Sequence, residues 1–170
     1  MPAGSVLNQG VWDYVDSFQG TFTDQEGKLR PADIGKLFFR SGPKWIDFLF
    51  AFRNKVVGFI GLKAAGNTGD KLARFQCEEG EQLGLFKVYA KTENEVVLGQ
   101  NDRHLNFRVS LFLGRVADRE GKRALSITTT VKFHNRMGRL YFVPVKQFHK
   151  RIVPSMLRGM LRNLADLRPE

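Results

Sequence analysis

The sequence predicts an α+β fold: a curved antiparallel sheet wrapped around a long C-terminal helix, with two short helices after the first strand. Three observations carry that reading. Apolar and polar residues alternate through successive segments between Leu83 and Phe133, the period of half-buried strands. After Gly138 the period changes, and Val145, Phe148, Ile152, Met156, Met160 and Leu164 recur at three and four residues, as on one helix face. Pro31 and Pro43 each open a short helical pattern, where a missing N–H costs nothing.

The first strand is expected over Trp12–Phe22, with Tyr14, Asp16, Phe18, Gly20 and Phe22 on one face. Pro31 starts the first helix, and Asp33 suits its dipole. Ile34, Leu37 and Phe38 give that helix an apolar stripe ending near Ser41-Gly42. The second runs from Pro43 through Trp45, Ile46, Leu49, Phe50 and Phe52 to about Val57. Lys63–Gln82 is polar and punctuated by glycine, so a flexible loop or weak strand is expected. Four strands follow, at Leu83–Ala90, Glu95–Gln100, Arg103–Ala117 and Arg123–Phe133, forming an antiparallel meander. A three-residue hairpin at Arg119–Gly121 would set Phe107 opposite Phe133, Val109 opposite Val131 and Leu111 opposite Thr129. On the other face it sets Asn106 opposite His134 and Arg108 opposite Lys132. A two-residue turn at Asn101-Asp102 would bring Glu95 beside Arg108. Pro154 should kink or split the terminal helix near Val153. That helix is expected to be the main cover of the sheet's apolar face.

The 170 residues suit one domain, residues 1–170, with an ordered core over about 11–165 and a flexible loop over about 63–82. Fifteen phenylalanines exclude disorder. A single cysteine, Cys77, excludes disulfide scaffolds and cysteine-rich zinc modules and points to a reducing, cytoplasmic setting. Met1–Gly10 has no secretory pattern, and the longest apolar run, Val56–Leu62, is too short for a membrane span. The net charge is +10, and Arg136–Glu170 holds eight Lys and Arg against two acids. The excess is local. Nucleic acid is disfavoured, because aromatic residues are not interleaved with those cations.

His104 and His134 are the candidate catalytic residues, expected as diagonal neighbours on one sheet face. With Asp102 and Asn106 they suit a hydrogen-bond network, joined on that face by Arg108. No third ligand converges there, so no metal is expected, and no cofactor either. Cys77 is surrounded by Glu78, Glu79 and Glu81, which disfavour a thiolate.

Gly99–Ser110, Thr129–Asn135, Gly138–Phe142 and Val145–His149 together resemble a bacterial domain-of-unknown-function family of the START-like, helix-grip (SRPBCC) superfamily. The resemblance extends over about Asp13–Arg162. Asn106 stands where relatives are expected to carry an acid. No Gly-x-Gly-x-x-Gly of a dinucleotide site stands between a strand and a helix. The resemblance implies a cavity between sheet and terminal helix, lined here by Trp45, Phe52, Phe107, Phe133, Tyr141 and Phe148, with Lys146, Lys150 and Arg151 as anion contacts at its mouth. The expected function is non-catalytic binding of a small apolar or amphipathic ligand. The alternatives are a cyclase- or hydratase-like enzyme using His104 or His134, and a module docking an acidic partner or membrane through the basic terminal helix.

Overall fold

The computed structural model describes residues 1–24, 27–41, 72–116 and 121–166. The elements are β1 (Tyr14–Thr23), α1 (Pro31–Arg40), β2 (Gln82–Leu83), β3 (Phe86–Lys91), β4 (Glu95–Asn101), β5 (Leu105–Val116), β6 (Lys122–Phe133) and α2 (Arg136–Asp166). A 3-10 turn at Val6–Gln9 precedes β1. The six strands form one antiparallel sheet in the order β1-β6-β5-β4-β3-β2. Strands β3 to β6 are the expected meander, and β1 closes against β6. The expected second short helix, with Trp45 and Phe52, lies outside the described residues, as does most of the Lys63–Gln82 segment before Leu72.

Helix α1 begins where its proline predicts. Asp33 accepts the Arg30 N–H at 3.0 Å, satisfying a donor that the first turn leaves free. Its buried side, Ile34, Gly35 and Phe38, packs toward β4 and β5. Helix α2 covers β1 and, less extensively, β6. The terminal helix therefore shares the apolar face with α1. Leu98, Leu111, Leu113, Leu125, Ile127, Ile34 and Met160 are fully buried between these layers. Each such side chain contributes roughly 1.5–3 kcal/mol of transfer free energy.

The register differs from expectation by an even step. Phe107 lies opposite Val131, Val109 opposite Thr129, Leu111 opposite Ile127 and Leu113 opposite Leu125. An irregularity between Leu113 and Val116 absorbs one residue of that step. An even shift keeps every side chain on its face, so the apolar pattern could not detect it. Asn106 consequently faces Lys132, not His134, and Arg108 faces Thr130, not Lys132. The β4–β5 connection is also longer than a two-residue turn, closing through the Asp102 N–H to the Leu105 carbonyl at 3.0 Å. Glu95 therefore pairs with Phe112 instead of Arg108, which lies opposite Gly99.

Helix α2 departs from its expected face at one position. Phe142, Val153, Met156, Leu157, Met160 and Leu164 are buried, but Phe148 is 49% exposed. A 3.6-residue period running back from Val153 and forward from Phe142 puts His149 inward and Phe148 outward. The helix is continuous through Pro144 and Pro154, so Pro154 does not split it. Its missing N–H frees the carbonyl of Lys150, an exposed residue that water can reach.

The opposite face of the sheet carries Glu95, Ser110, Ser126, Thr128 and Thr130, all buried. Residues ahead of β1 pack there. The Ser5 hydroxyl donates to Glu95 Oε1 at 2.6 Å and the Val6 N–H to Oε2 at 2.7 Å, while Ser110 also donates to Oε1. Leu7 is 4% exposed, and the Trp12 indole N–H donates to its carbonyl at 2.9 Å. A polar layer beneath a strap is the result.

Candidate functional site

Three elements each place a polar residue at the same level of an otherwise apolar interior. On β1, Asp16 stands between Tyr14 and Phe18. On β6, Thr129 stands between Ile127 and Val131. On α2, His149 stands between Val145 and Val153. In each case the flanking residues belong to two different apolar clusters. One contains Ile127, Val153, Met156 and Met160, with Phe18 packed on it. The other contains Leu105, Val131 and Phe142, with Tyr14, Phe133, Tyr141 and Val145 packed on it. Among the described residues only Phe107 packs against both. A polar band thus crosses the core where the clusters meet.

Within the band, Asp16 Oδ2 accepts the Tyr14 hydroxyl at 2.7 Å and the His149 Nδ1–H at 2.9 Å. The Asp16 and His149 side chains are 13% and 17% exposed. Asp16 pairs with Thr129 across β1 and β6, so both side chains lie on one face. Among the described residues, the buried side-chain atoms without a hydrogen-bond partner are Asp16 Oδ1, Thr129 Oγ1 and, on the opposite face of the sheet, Thr130 Oγ1. Such an omission is uncommon, since an unpaired buried polar atom costs roughly 1–3 kcal/mol. Lys146 Nζ stands 5.2 Å from the centre of the Tyr14 ring and completes the cluster's rim.

Burial pushes the Asp16 carboxyl up, but hydrogen bonds from His149 and Tyr14 and the charge of the imidazole outweigh it, holding Asp16 below its ordinary value of 3.8. Burial, and then the Asp16 carboxylate, push the Tyr14 phenol above its usual range, so it remains a donor. A carboxyl depressed in the folded state adds stability above its unfolded pKa, and that contribution is lost as pH falls through the folded value. Urea stability should accordingly decline in the acid window that begins near 3.8 and extends below it. Asp16→Asn should flatten this part of the curve and cost about 1–2 kcal/mol at neutral pH. A variant with the wild-type acid slope would show that another group titrates.

The histidines favoured by sequence lie elsewhere. His104 sits in the β4–β5 turn, its N–H donating to Asp102 Oδ1 at 3.1 Å and its Nδ1 lying 3.2 Å from the Asn135 side-chain oxygen. Asn106 accepts the Asp102 N–H at 3.3 Å, so Asp102, His104 and Asn106 form a turn network. His134 joins it through its backbone N–H, 2.9 Å from the His104 carbonyl, and its side chain is exposed. A Cβ at Gly138 would collide with that same carbonyl, so α2 starts hard against this turn. Arg108 shares the sheet face of Asn106 but lies outside the turn network, its guanidinium 3.6 Å from the Tyr89 ring centre and donating to Asn101 Oδ1 at 2.7 Å.

Of the six expected cavity residues, Phe107, Phe133 and Tyr141 pack beside the band. Phe148 faces outward. Lys150 and Arg151 are exposed, and of the three expected anion contacts only Lys146 reaches the cluster. Cys77 is fully buried, and burial, reinforced by Glu81, pushes its thiol up to about 11. Two surface depressions, of about 480 Å³ beside Gly4, Asn94 and Phe112 and about 190 Å³ beside Phe22 and Leu161, both lie away from Asp16. Unsatisfied polar atoms, rather than open volume, mark the candidate site.

Sequence reasoning counts His149 among three histidines that invite catalytic arguments but favours the other two, and it passes over Asp16 as a site residue, although one signal for each is present. Asp16 falls in the middle of an aromatic strand face, where a carboxylate has no business unless it is paired. His149 is four residues after Val145 and four before Val153, on the inward face. Comparison with curated proteins gives no match. Residues 9–156 match the family model described as "Protein of unknown function (DUF2867)". That match runs from before β1 to beyond His149 and spans most of the chain, which therefore belongs to the DUF2867 family.

Proposed function

We propose that this domain is a START-like, helix-grip module of the SRPBCC type that binds a small amphipathic ligand between its sheet and α2. One observation carries the reading: Asp16 Oδ1 and Thr129 Oγ1 are both buried, both unpaired, and neighbours across β1 and β6. A ligand hydroxyl or amide would donate to the carboxylate and bond the threonine, while its apolar part lies among Phe107, Phe133 and Tyr141. The carboxylate argues for a head that is neutral and bears a donor. A cytoplasmic setting fits the buried free thiol of Cys77.

The test uses medium-chain primary alcohols and amides as probes, with calorimetric titration of the wild-type protein. Binding should be measurable, and both Thr129→Val and Asp16→Ala should weaken it, the latter by about tenfold or more. Thr129→Val preserves shape, so it guards against a folding artefact. Absence of binding to every probe, or wild-type affinity in both variants, would remove the proposal.

A cyclase- or hydratase-like enzyme is the second reading, and the Asp16–His149 pair favours it. The carboxylate fixes His149 through Nδ1 and leaves Nε2 as the proton acceptor. The general-base role would then fall to His149 rather than to His104 or His134.

A further inference from the structure

We infer that the outward face of the first half of α2 is a docking surface for an anionic membrane. Met137, Leu140, Val143 and Phe148 are 60%, 67%, 62% and 49% exposed. A 3.6-residue period places Met137, Leu140, Pro144 and Phe148 in one stripe, with Val143 along its edge, opposite the buried stripe that carries His149. Isolated exposed apolar residues are ordinary, but a contiguous row on one helix face is not. Nothing in the ligand-site proposal requires this row, because it faces the other way.

Charge identifies the occupant. From Arg136 to Arg151 the chain carries five cations, Arg136, Arg139, Lys146, Lys150 and Arg151, and no acid. Arg139 is engaged by Asp13 at 3.4 Å and Lys146 stands over Tyr14, leaving Arg136, Lys150 and Arg151 alongside the apolar row. An apolar row flanked by lysine and arginine is what the boundary between lipid headgroups and acyl chains accepts. Two weak signals, one apolar and one electrostatic, are together enough for reversible anchoring. Among the described residues no helix is long and apolar enough to cross a membrane, so α2 would lie along the surface.

The test is vesicle flotation of the intact protein with phosphatidylcholine alone and with phosphatidylcholine containing phosphatidylglycerol. Binding should require phosphatidylglycerol and weaken as salt rises. Leu140→Ser with Phe148→Ser should reduce it by about tenfold, and so should Lys150→Glu with Arg151→Glu. These side chains are exposed, so the variants should melt with the wild type. Equal binding to both vesicle types, no binding to either, or undiminished binding by both double variants would overturn the inference. Retention on a polyglutamate matrix without vesicle binding would also overturn it, in favour of an acidic protein partner.

Discussion

Arg123→Ala is expected to cost about 3–5 kcal/mol of folding stability, a large share of what a domain of this size holds. The Arg123 and Asp24 side chains are 9% and 6% exposed and meet at 2.8 Å. The same guanidinium donates to the Gly114 carbonyl at 2.8 Å and the Leu29 carbonyl at 2.9 Å. It thereby ties the segment leading into α1 to the ends of β5 and β6. Truncation strands a buried carboxylate and leaves two carbonyls without this donor, and the stranded charge is the larger loss. Replacing both partners at once, with Arg123→Met and Asp24→Leu, should recover much of the loss, because the desolvation cost of both charges disappears. Urea unfolding of the single and double variants measures this directly. A single variant within about 1 kcal/mol of wild type would mean that the pair is solvated and contributes little.

Glu95→Ala should cost roughly 3 kcal/mol and free the strap that precedes β1. Glu95 is fully buried, and its two oxygens collect donors from Ser5, Val6 and Ser110. Two of those donors belong to the strap, so the carboxylate is its main anchor on the sheet. The variant leaves three donors facing a cavity, and the strap should become accessible to protease ahead of global unfolding. Glu95→Gln keeps one acceptor oxygen and sets an amide N–H₂ against the hydroxyls, so its cost should be intermediate. Protection of residues 1–12 in Glu95→Ala equal to that in wild type would show that Leu7 and Trp12 hold the strap instead.

Both anchors show where sequence reading reached its limit. Alternation between Leu83 and Phe133 identified β3 to β6, and Pro31 with Asp33 identified α1, because these signals are written in neighbouring residues. Alternation on β1 even put Tyr14, Asp16 and Phe18 on one face. The same alternation could not fix the register, since a step of two preserves every face. Nor could a helical period choose between Phe148 and His149, adjacent residues of which hydrophobicity favours the first. His104 and His134 stood out as histidines on strand-like segments, but they lie just outside β5 and β6, where the His104 ring meets the Asn135 side chain and the His134 side chain is exposed.

The sequence by itself determined much of the composition of the fold among the described residues: which segments are strands, where α1 starts, and which sides of these elements are apolar. Those properties follow from local backbone geometry and from side chains within a few positions of one another. Only the tertiary structure decided which polar residues meet. Asp16 and His149 are 133 positions apart, and Ser5 and Glu95 are 90 apart. Such contacts depend on register, on the docking of α2 against β1 and on the strap closing over the sheet. Each is a choice among long-range pairings that share the same local pattern, and the burial of otherwise unpaired polar groups is what selects between them.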